Sequence, residues 1–294
     1  MTYPFNLSRG AAEMMRAVVI GGAGFIGAYV VRALAERGCA VAVVARGDAP
    51  VRLPAGVRQL SFAEAAAAPF PDLVVHMAAM SEPDAQRAAD AFEGKAGRLV
   101  AASSGDVYLA YGRFTGLEPG PPVPVPLSEE APLRTRLFPY RASATSEADP
   151  LFHYEKILVE RALLGRSRLN AAIVRLPKVY GPEKNADFAT VHAYADRPDW
   201  RWTHGYVGNA AAAIALLGLH RSLPRPIYNV GEAYTPTVAE RLRDLLPSPI
   251  PPSRDSRFDF RQDLWLDTSA IRADFGFVEP VSYAEGLRRT LPGG

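Results

Sequence analysis

The sequence predicts an α/β fold, in which a doubly wound parallel sheet carries a smaller domain toward the C-terminus. Short β-branched runs alternate with helical patterns along the first third of the chain. A glycine-rich turn over residues 21–27 joins the first run to the first helix, and a proline-rich stretch over residues 112–150 later interrupts the alternation. Alternation of this kind is typical of parallel sheets that are covered by helices on both faces.

The strands and helices can be placed in order from their hydrophobic periodicity. The first strand ends at Gly21, a helix covers residues 25–37, and Gly38 ends that helix. Further strands are predicted at residues 41–45, 57–60, 73–77, 98–102, 171–175 and 227–230. The main later helices are predicted at residues 83–93, 151–164 and 207–220.

Composition excludes several classes of protein. The chain has 33 basic and 31 acidic residues, so a nucleic-acid or anionic-membrane partner is not expected. Cys39 is the single cysteine, and the five histidines show no paired spacing, so we predict no metal site. No apolar run reaches the ~18 residues that span a membrane, and the N-terminus does not have the pattern of a signal peptide. We therefore expect a cytoplasmic protein.

The glycine-rich turn predicts a dinucleotide site. Gly21, Gly24 and Gly27 lie between a strand and a helix, where a tight turn brings the backbone close to a pyrophosphate at the helix N-terminus. The second strand ends at Ala45, where an acidic residue would select NAD, and Arg46 follows it. Because a guanidinium can bind a 2′-phosphate, we predict NADP(H), with NAD left open.

Seven ordered segments make the chain resemble the extended short-chain dehydrogenases/reductases, the epimerases and dehydratases of nucleotide sugars. They are GGAGFIG, DLVVHMAA, LVAASSGDVY, YEKILVE, RLPKVYGP, WTHGYVGNAAAAI and YNVGE. The resemblance implies a Rossmann-like domain over residues 16–181, after an extension over residues 1–15. Residues 182–294 would mainly cover the substrate, with late elements returning to the sheet. The implied cofactor-binding residues are Gly21, Gly24, Phe25, Ile26, Gly27, Arg46, Ala78, Ala79 and Lys156.

The resemblance also implies an active site in which one residue type is missing. The family's active-site serine falls on Ser104, and its lysine, which holds the nicotinamide ribose, falls on Lys156. The family's proton-transferring tyrosine precedes that lysine by four residues, and here that position is Phe152. If residues 151–164 form one helix, Tyr154 cannot take the place of this tyrosine. Two residues along a helix correspond to a turn of about 200°, so Tyr154 would face nearly opposite to Phe152.

In this register other groups must move the proton. In the alternative register Tyr154 is the family's tyrosine, and the position of its lysine falls on Leu158. The candidates are Asp106, placed where some dehydratases of the family have an acid, Lys178 in the segment LPKVYGP, and Tyr140 in the proline-rich region. Tyr108 and His153 are weaker candidates, expected in the core and on the surface. We predict an NADP(H)-binding oxidoreductase or epimerase-like enzyme. Two alternatives stay open: a non-redox enzyme for elimination or cyclisation, and a non-catalytic NADP(H)-binding sensor or scaffold.

The expected partners are a small-molecule substrate and a second copy of the chain. The arginine with which the family grips a nucleotide falls on Trp200, and Arg201 is one position away. A nucleotide sugar is therefore in doubt, and two tryptophans favour an aromatic or apolar substrate carrying a carbonyl or hydroxyl group. The helix over residues 151–164 offers more apolar surface than one packed face needs, which predicts a homodimer through Ile157, Leu158, Leu163 and Leu164.

Overall fold

The fold was analysed in a computed structural model, which describes residues 14–45, 53–253 and 257–291. A parallel sheet of seven strands has the order β3-β2-β1-β4-β5-β6-β9. Its strands are β1 (Arg16–Ile20), β2 (Ala40–Val44), β3 (Arg58–Leu60), β4 (Leu73–His76), β5 (Arg98–Ser104), β6 (Ala171–Leu176) and β9 (Ile227–Asn229). A separate parallel pair consists of β7 (Lys178–Tyr180) and β8 (His204–Tyr206). The predicted doubly wound α/β fold is confirmed.

Ten α-helices occur in the described part of the chain. They are α1 (Phe25–Ala35), α2 (Phe62–Ala67), α3 (Glu82–Phe92), α4 (Leu109–Phe114), α5 (Lys156–Leu164), α6 (Ala189–Ala193), α7 (Val207–Leu219), α8 (Val238–Asp244), α9 (Ser269–Phe275) and α10 (Tyr283–Thr290). None of the helices in these residues is long and apolar enough to cross a membrane.

Two hydrophobic clusters cover the two faces of the sheet. Helices α1 and α7 pack together in one cluster, and α2, α3 and α5 contribute to the other. The central strands β1, β4 and β5 are buried almost throughout, as expected for a parallel sheet with helices on both faces. The register places Ile20 beside His76, His76 beside Ala101, and Ser104 beside Leu176. The carboxyl ends of these strands therefore lie along one edge of the sheet, where ligands of such folds bind.

The structure corrects the predicted start of α5. We predicted a helix over residues 151–164, but α5 begins at Lys156. Glu155 is its N-cap, has extended backbone angles, and accepts a hydrogen bond from the Ile157 amide through its side chain. The Glu155 amide donates to the Met80 carbonyl rather than into a preceding helical turn. These bonds fix the chain in an extended form before Lys156 and prevent the helix from starting earlier.

Candidate active site

The glycine-rich turn after β1 has the geometry of a pyrophosphate cradle. Gly21 has a φ of 79°, a left-handed conformation that favours glycine. A Cβ on Gly27 would lie 2.1 Å from the Gly21 carbonyl oxygen, so only glycine fits there. Gly24 precedes α1 without a side-chain cap, which leaves the first N–H groups of α1, those of Phe25, Ile26 and Gly27, for a ligand. These residues fit a dinucleotide. Arg46 lies outside the described residues.

Lys156 is buried beside the ends of β4 and β5. Its ammonium nitrogen donates to the carbonyl oxygens of Ala79, at 2.6 Å, and Ala102, at 3.0 Å. Burial lowers the pKa of Lys156 to about 8, against the opposing effect of the Asp106 carboxyl group. Ala78 packs directly against Gly21. The structure thus brings Lys156, Ala78 and Ala79 together with the glycine turn, as the sequence predicts.

Asp106 is the centre of a buried cluster of hydroxyl groups. Tyr140 and Tyr154 each donate a hydrogen bond to Asp106 Oδ2, at 2.9 Å and 2.8 Å. Ser104 Oγ accepts the Asp106 amide at 3.3 Å, and the Tyr154 hydroxyl also interacts with the Ser104 side chain. Asp106 Oδ1 is buried and has no hydrogen-bond partner among the described residues. Burial raises the pKa of Asp106, and nearby Arg134 and the two phenols only partly oppose this.

The position of Tyr154 corrects a second prediction. We expected Tyr154 to face away from the site because a helix would turn it opposite to Phe152. Glu155 is extended instead, so the residues before and after it, Tyr154 and Lys156, point to the same side of the chain. Both are buried next to the site. The Tyr154 side chain is 6 % exposed, and Lys156 Nζ lies 5.6 Å from its ring centroid. Phe152 is half-buried, with its ring against the Arg141 guanidinium.

A buried ion pair fixes this segment. Arg134 Nη2 lies 3.1 Å from Glu155 Oε1, and both side chains are fully buried. Glu155 also accepts the amides of Phe138 and Ile157, while Arg134 donates from Nε to the Asp106 carbonyl. The pair therefore connects the loop that carries Asp106 to the first residues of α5. Neither residue was identified from the sequence, because they are 21 residues apart and no local pattern links them.

A cavity of about 300 Å³ lies in front of the cluster. Asp106, Tyr140 and Ser104 face it, whereas Tyr154 and Lys156 lie behind them. Its lining consists of Ser104, Gly105, Asp106, Tyr111, Leu127, Tyr140, Leu176, Pro177, Lys178, Trp202, Leu264 and Leu266. Four predicted site residues, Ser104, Asp106, Tyr140 and Lys178, thus share one cavity. Its apolar side comes partly from Trp202, one of the two tryptophans noted in the sequence, and from Leu264 and Leu266, which the sequence did not single out.

The remaining candidates have structural roles. Tyr108 is buried, donates to Asn229 at 2.7 Å and contacts Arg175, as expected for a core residue. His153 is exposed, also as expected. Trp200 stacks on Phe114 within an aromatic cluster and does not reach the cavity, whereas Trp202 lines it. Within the described residues no group of His, Cys, Asp and Glu could hold a metal ion.

Comparison with known proteins identifies the family. Residues 17–231 match the model of the NAD dependent epimerase/dehydratase family. The chain belongs to this family. Among curated members, the chain is 30 % identical over 237 residues to 2'-dehydrokanamycin reductase of Streptomyces kanamyceticus. That alignment covers 72 % of this chain but only 60 % of the reductase, so the chain matches less than two thirds of that relative's length.

Solved structures of epimerase/dehydratase type share the fold. An enzyme of Bordetella bronchiseptica, in complex with NAD and UDP, superposes with a TM-score of 0.69 at 20 % identity, over 95 % of this chain and 93 % of that one. UDP-glucose 4-epimerase of Thermus thermophilus, in complex with NAD, superposes with a TM-score of 0.63 at 24 % identity, over 94 % and 97 %. At these identities the likeness establishes the fold of this family member, and its chemistry must be argued from its own site.

Proposed function

We propose that this family member is an NADP(H)-dependent oxidoreductase that reduces the carbonyl group of a small substrate. Its proton source is the pair Asp106 and Tyr140, in place of the tyrosine that the family carries four residues before its lysine. The observation that supports this most directly is the convergence of the Tyr140 and Tyr154 hydroxyls on one buried oxygen of Asp106, at the wall of a cavity. The similarity to a reductase favours the same direction of reaction.

The residues behind the cluster would hold the cofactor. The glycine turn and the start of α1 receive the pyrophosphate, and the Lys156 ammonium, which is directed to the Ala79 carbonyl, holds the nicotinamide ribose. A bound nicotinamide dinucleotide supplies the hydride. The chain's contribution is to place the substrate in the cavity. Residues 16–181 provide its polar groups and part of its apolar wall, and residues after 182 provide Trp202, Leu264 and Leu266.

Proton delivery follows from the hydrogen bonds of Asp106. Ser104 and Tyr140 face the cavity and can donate to a substrate oxygen, which gains negative charge as the carbonyl is reduced. Tyr140 then recovers its proton from Asp106, whose pKa is raised by burial. For this transfer the carboxyl proton lies on Oδ2, the oxygen that Tyr140 contacts, and the Tyr140 hydrogen bond reverses its direction once its own proton has passed to the substrate oxygen. Tyr154 holds Asp106 and Ser104 in place from behind.

The protonation of the cluster favours reduction over oxidation. Burial, with Asp106 adding to it, raises the pKa of Tyr140 and of Tyr154, so both phenols keep their protons. A site of neutral phenols beside a carboxyl of raised pKa is a proton donor rather than a base. Removing a proton from an alcohol, which oxidation requires, would need the carboxylate form of Asp106, which burial disfavours.

The test is hydride transfer from NADPH labelled with deuterium on the reacting carbon. Cyclic ketones are incubated with the protein and labelled cofactor, and the alcohol product is analysed by mass spectrometry. We expect stereospecific incorporation of deuterium. Product without deuterium would support elimination or cyclisation, in which Asp106 and Lys178 act without hydride transfer. Tight cofactor binding with no product from any ketone would support a sensor or scaffold.

The cofactor preference is a separate prediction. We expect tighter binding of NADPH than of NADH, because position 45, where an acidic residue would bind the ribose hydroxyl, is an alanine and is followed by Arg46. Replacing Arg46 with alanine is expected to weaken NADPH binding by about 1–3 kcal/mol, the usual contribution of a charge-assisted contact, and to leave NADH binding unchanged. Isothermal titration measures both. Arg58→Ala, an exposed arginine on β3, is the matched control. Equal affinities in the unmodified protein would contradict the prediction.

Dimer formation also remains a prediction. The apolar surface of α5 that is left for an interface is smaller than the sequence suggests. Ile157 and Leu163 are fully buried within the chain, while Leu158 and Leu164 are only partly buried and are the residues of α5 left for a partner. We expect a homodimer through this face, measured by light scattering at micromolar concentration. Leu158→Glu should shift the mass to that of a monomer. A monomer without any substitution would refute the prediction.

A further inference from the structure

Lys178 is a cation of the cavity that has no hydrogen-bond or ion-pair partner among the described residues. It begins β7, two residues after Leu176, and its ammonium nitrogen lies 5.7 Å from the Trp202 ring centroid. No carboxylate, carbonyl or hydroxyl of the described residues bonds to it directly. Burial lowers the pKa of Lys178, Lys184 adds to this effect, and Asp187 opposes it. The Lys178 ammonium group is only partly buried, and its three donors are available to water or to a ligand in the cavity.

Other cations around the substrate region are already paired. Arg241 forms an ion pair with Glu232 at 2.5 Å, and Arg134 is paired with Glu155. Arg201 donates to the Thr235 carbonyl and lies 3.8 Å from Glu240. None of these guanidinium groups lines the cavity. Lys178 is therefore the one basic side chain that the described cavity wall offers to a ligand.

The rest of the wall is apolar or acts as a proton donor. Leu127, Leu176, Leu264 and Leu266 line the cavity together with Trp202. The carboxyl group in this wall is that of Asp106, which already accepts hydrogen bonds from the Tyr140 and Tyr154 hydroxyls. Near Lys178 there are two positive charges, those of Lys178 and Lys184, and one negative charge, that of Asp187. This end of the cavity has a surplus of positive charge. It therefore favours a ligand that carries a negatively charged group.

We propose that the cavity binds a small cyclic or branched keto acid, whose carboxylate pairs with Lys178 while its carbonyl meets Ser104 and Tyr140. This inference rests on the proposed carbonyl reduction and names its substrate class. A nucleoside diphosphate has at least two negative charges, for which the cavity wall offers one cation. A substrate that carries amino groups would place ammonium groups against Lys178.

Binding is tested separately from turnover, with compounds that cannot be reduced. The protein loaded with NADP⁺ is titrated by calorimetry with cyclohexanecarboxylate, with the corresponding amide, with cyclohexylamine and with UDP. We expect the carboxylate to bind about tenfold or more tightly than the amide, since a charge-assisted hydrogen bond is stronger than a neutral one. Cyclohexylamine should not bind, and UDP should bind more weakly than the carboxylate.

Two variants decide whether Lys178 is responsible. Lys178→Met keeps the length of the side chain and removes its charge, and should abolish the preference for carboxylate over amide. Lys184→Met, which removes a neighbouring charge outside the cavity, should retain it. Equal binding of carboxylate and amide, a preference that survives in Lys178→Met, or tighter binding of UDP would each overturn the proposal.

The same compounds separate this inference from the proposed function. Oxocyclohexanecarboxylate, its methyl ester and the aminocyclohexanone are offered as substrates with NADPH. If all three are reduced equally and the carboxylate shows no preferential binding, the reductase stands and the keto-acid inference falls. If the carboxylate preference depends on Lys178 but no ketone is reduced, the binding site stands and the reductase falls.

Discussion

Replacing Asp106 with asparagine should lower kcat for ketone reduction by about a hundredfold to ten-thousandfold, the usual contribution of a general acid. Asparagine keeps the volume of the side chain and can accept both phenol hydrogen bonds through its amide oxygen, but it cannot store and return a proton. NADPH affinity should be unchanged, because Asp106 faces the cavity rather than the glycine turn. The measurement is the rate of NADPH consumption together with a binding titration.

The tyrosines determine the route of the proton. Tyr140→Phe should lose nearly as much activity as Asp106→Asn, since Tyr140 lines the cavity, while Tyr154→Phe should lose less. Phe152→Tyr is the matched control and should change little, because that ring lies against Arg141. A greater loss in Tyr154→Phe than in Tyr140→Phe would contradict the assignment and give Tyr154 the role of the family's tyrosine.

The second large effect is on stability. Replacing Glu155 with alanine should lower the free energy of unfolding by about 3–5 kcal/mol, because it leaves the Arg134 guanidinium buried without its partner. The Phe138 and Ile157 amides also lose an acceptor. Chemical denaturation measures the change. Replacing both members of the pair, as Arg134→Met with Glu155→Leu, should cost less than Glu155→Ala, since no unpaired charge is left.

The control is an ion pair on the surface. Glu285 pairs with Arg288 and Arg289 on α10, where both arginines are exposed to solvent and Glu285 is partly exposed. Glu285→Ala should leave the unfolding transition where it is in the unmodified protein, because solvent screens such pairs. If the two glutamate variants unfold alike, the Arg134–Glu155 pair does not have the structural role assigned to it.

Local patterns were enough to predict the sheet and the cofactor cradle. Strands such as β4 are continuous apolar runs, and the glycines at 21, 24 and 27 act within one turn, so their roles can be inferred from neighbouring residues alone. The start of α5 could not be predicted in this way. It depends on Glu155, whose partner Arg134 is 21 residues away, and on the hydrogen bond that the Glu155 amide donates to the Met80 carbonyl in the loop after β4.

Contacts between residues that are distant in the sequence also limited the prediction of the candidate site. Ser104, Asp106, Lys156 and Lys178 were identified from segments of the sequence, and the structure brings three of them to one cavity, with Lys156 behind it. That Tyr140 contacts Asp106 could not be inferred, because 34 residues of proline-rich chain separate them. The role of Tyr154 was misjudged because the geometry of a helix was applied to a segment that is extended.

The extended segment before α5 has a consequence for how inactive members of such families are recognised. A search that requires a tyrosine four residues before the lysine assumes that both lie on one helix. Where the helix starts at the lysine itself, as it does at Lys156, a tyrosine two residues earlier reaches the same side of the chain. Loss of the four-residue spacing is therefore not sufficient to classify a sequence as catalytically dead. Screens should also consider tyrosines that reach the site from other positions in the chain, as Tyr140 and Tyr154 do here.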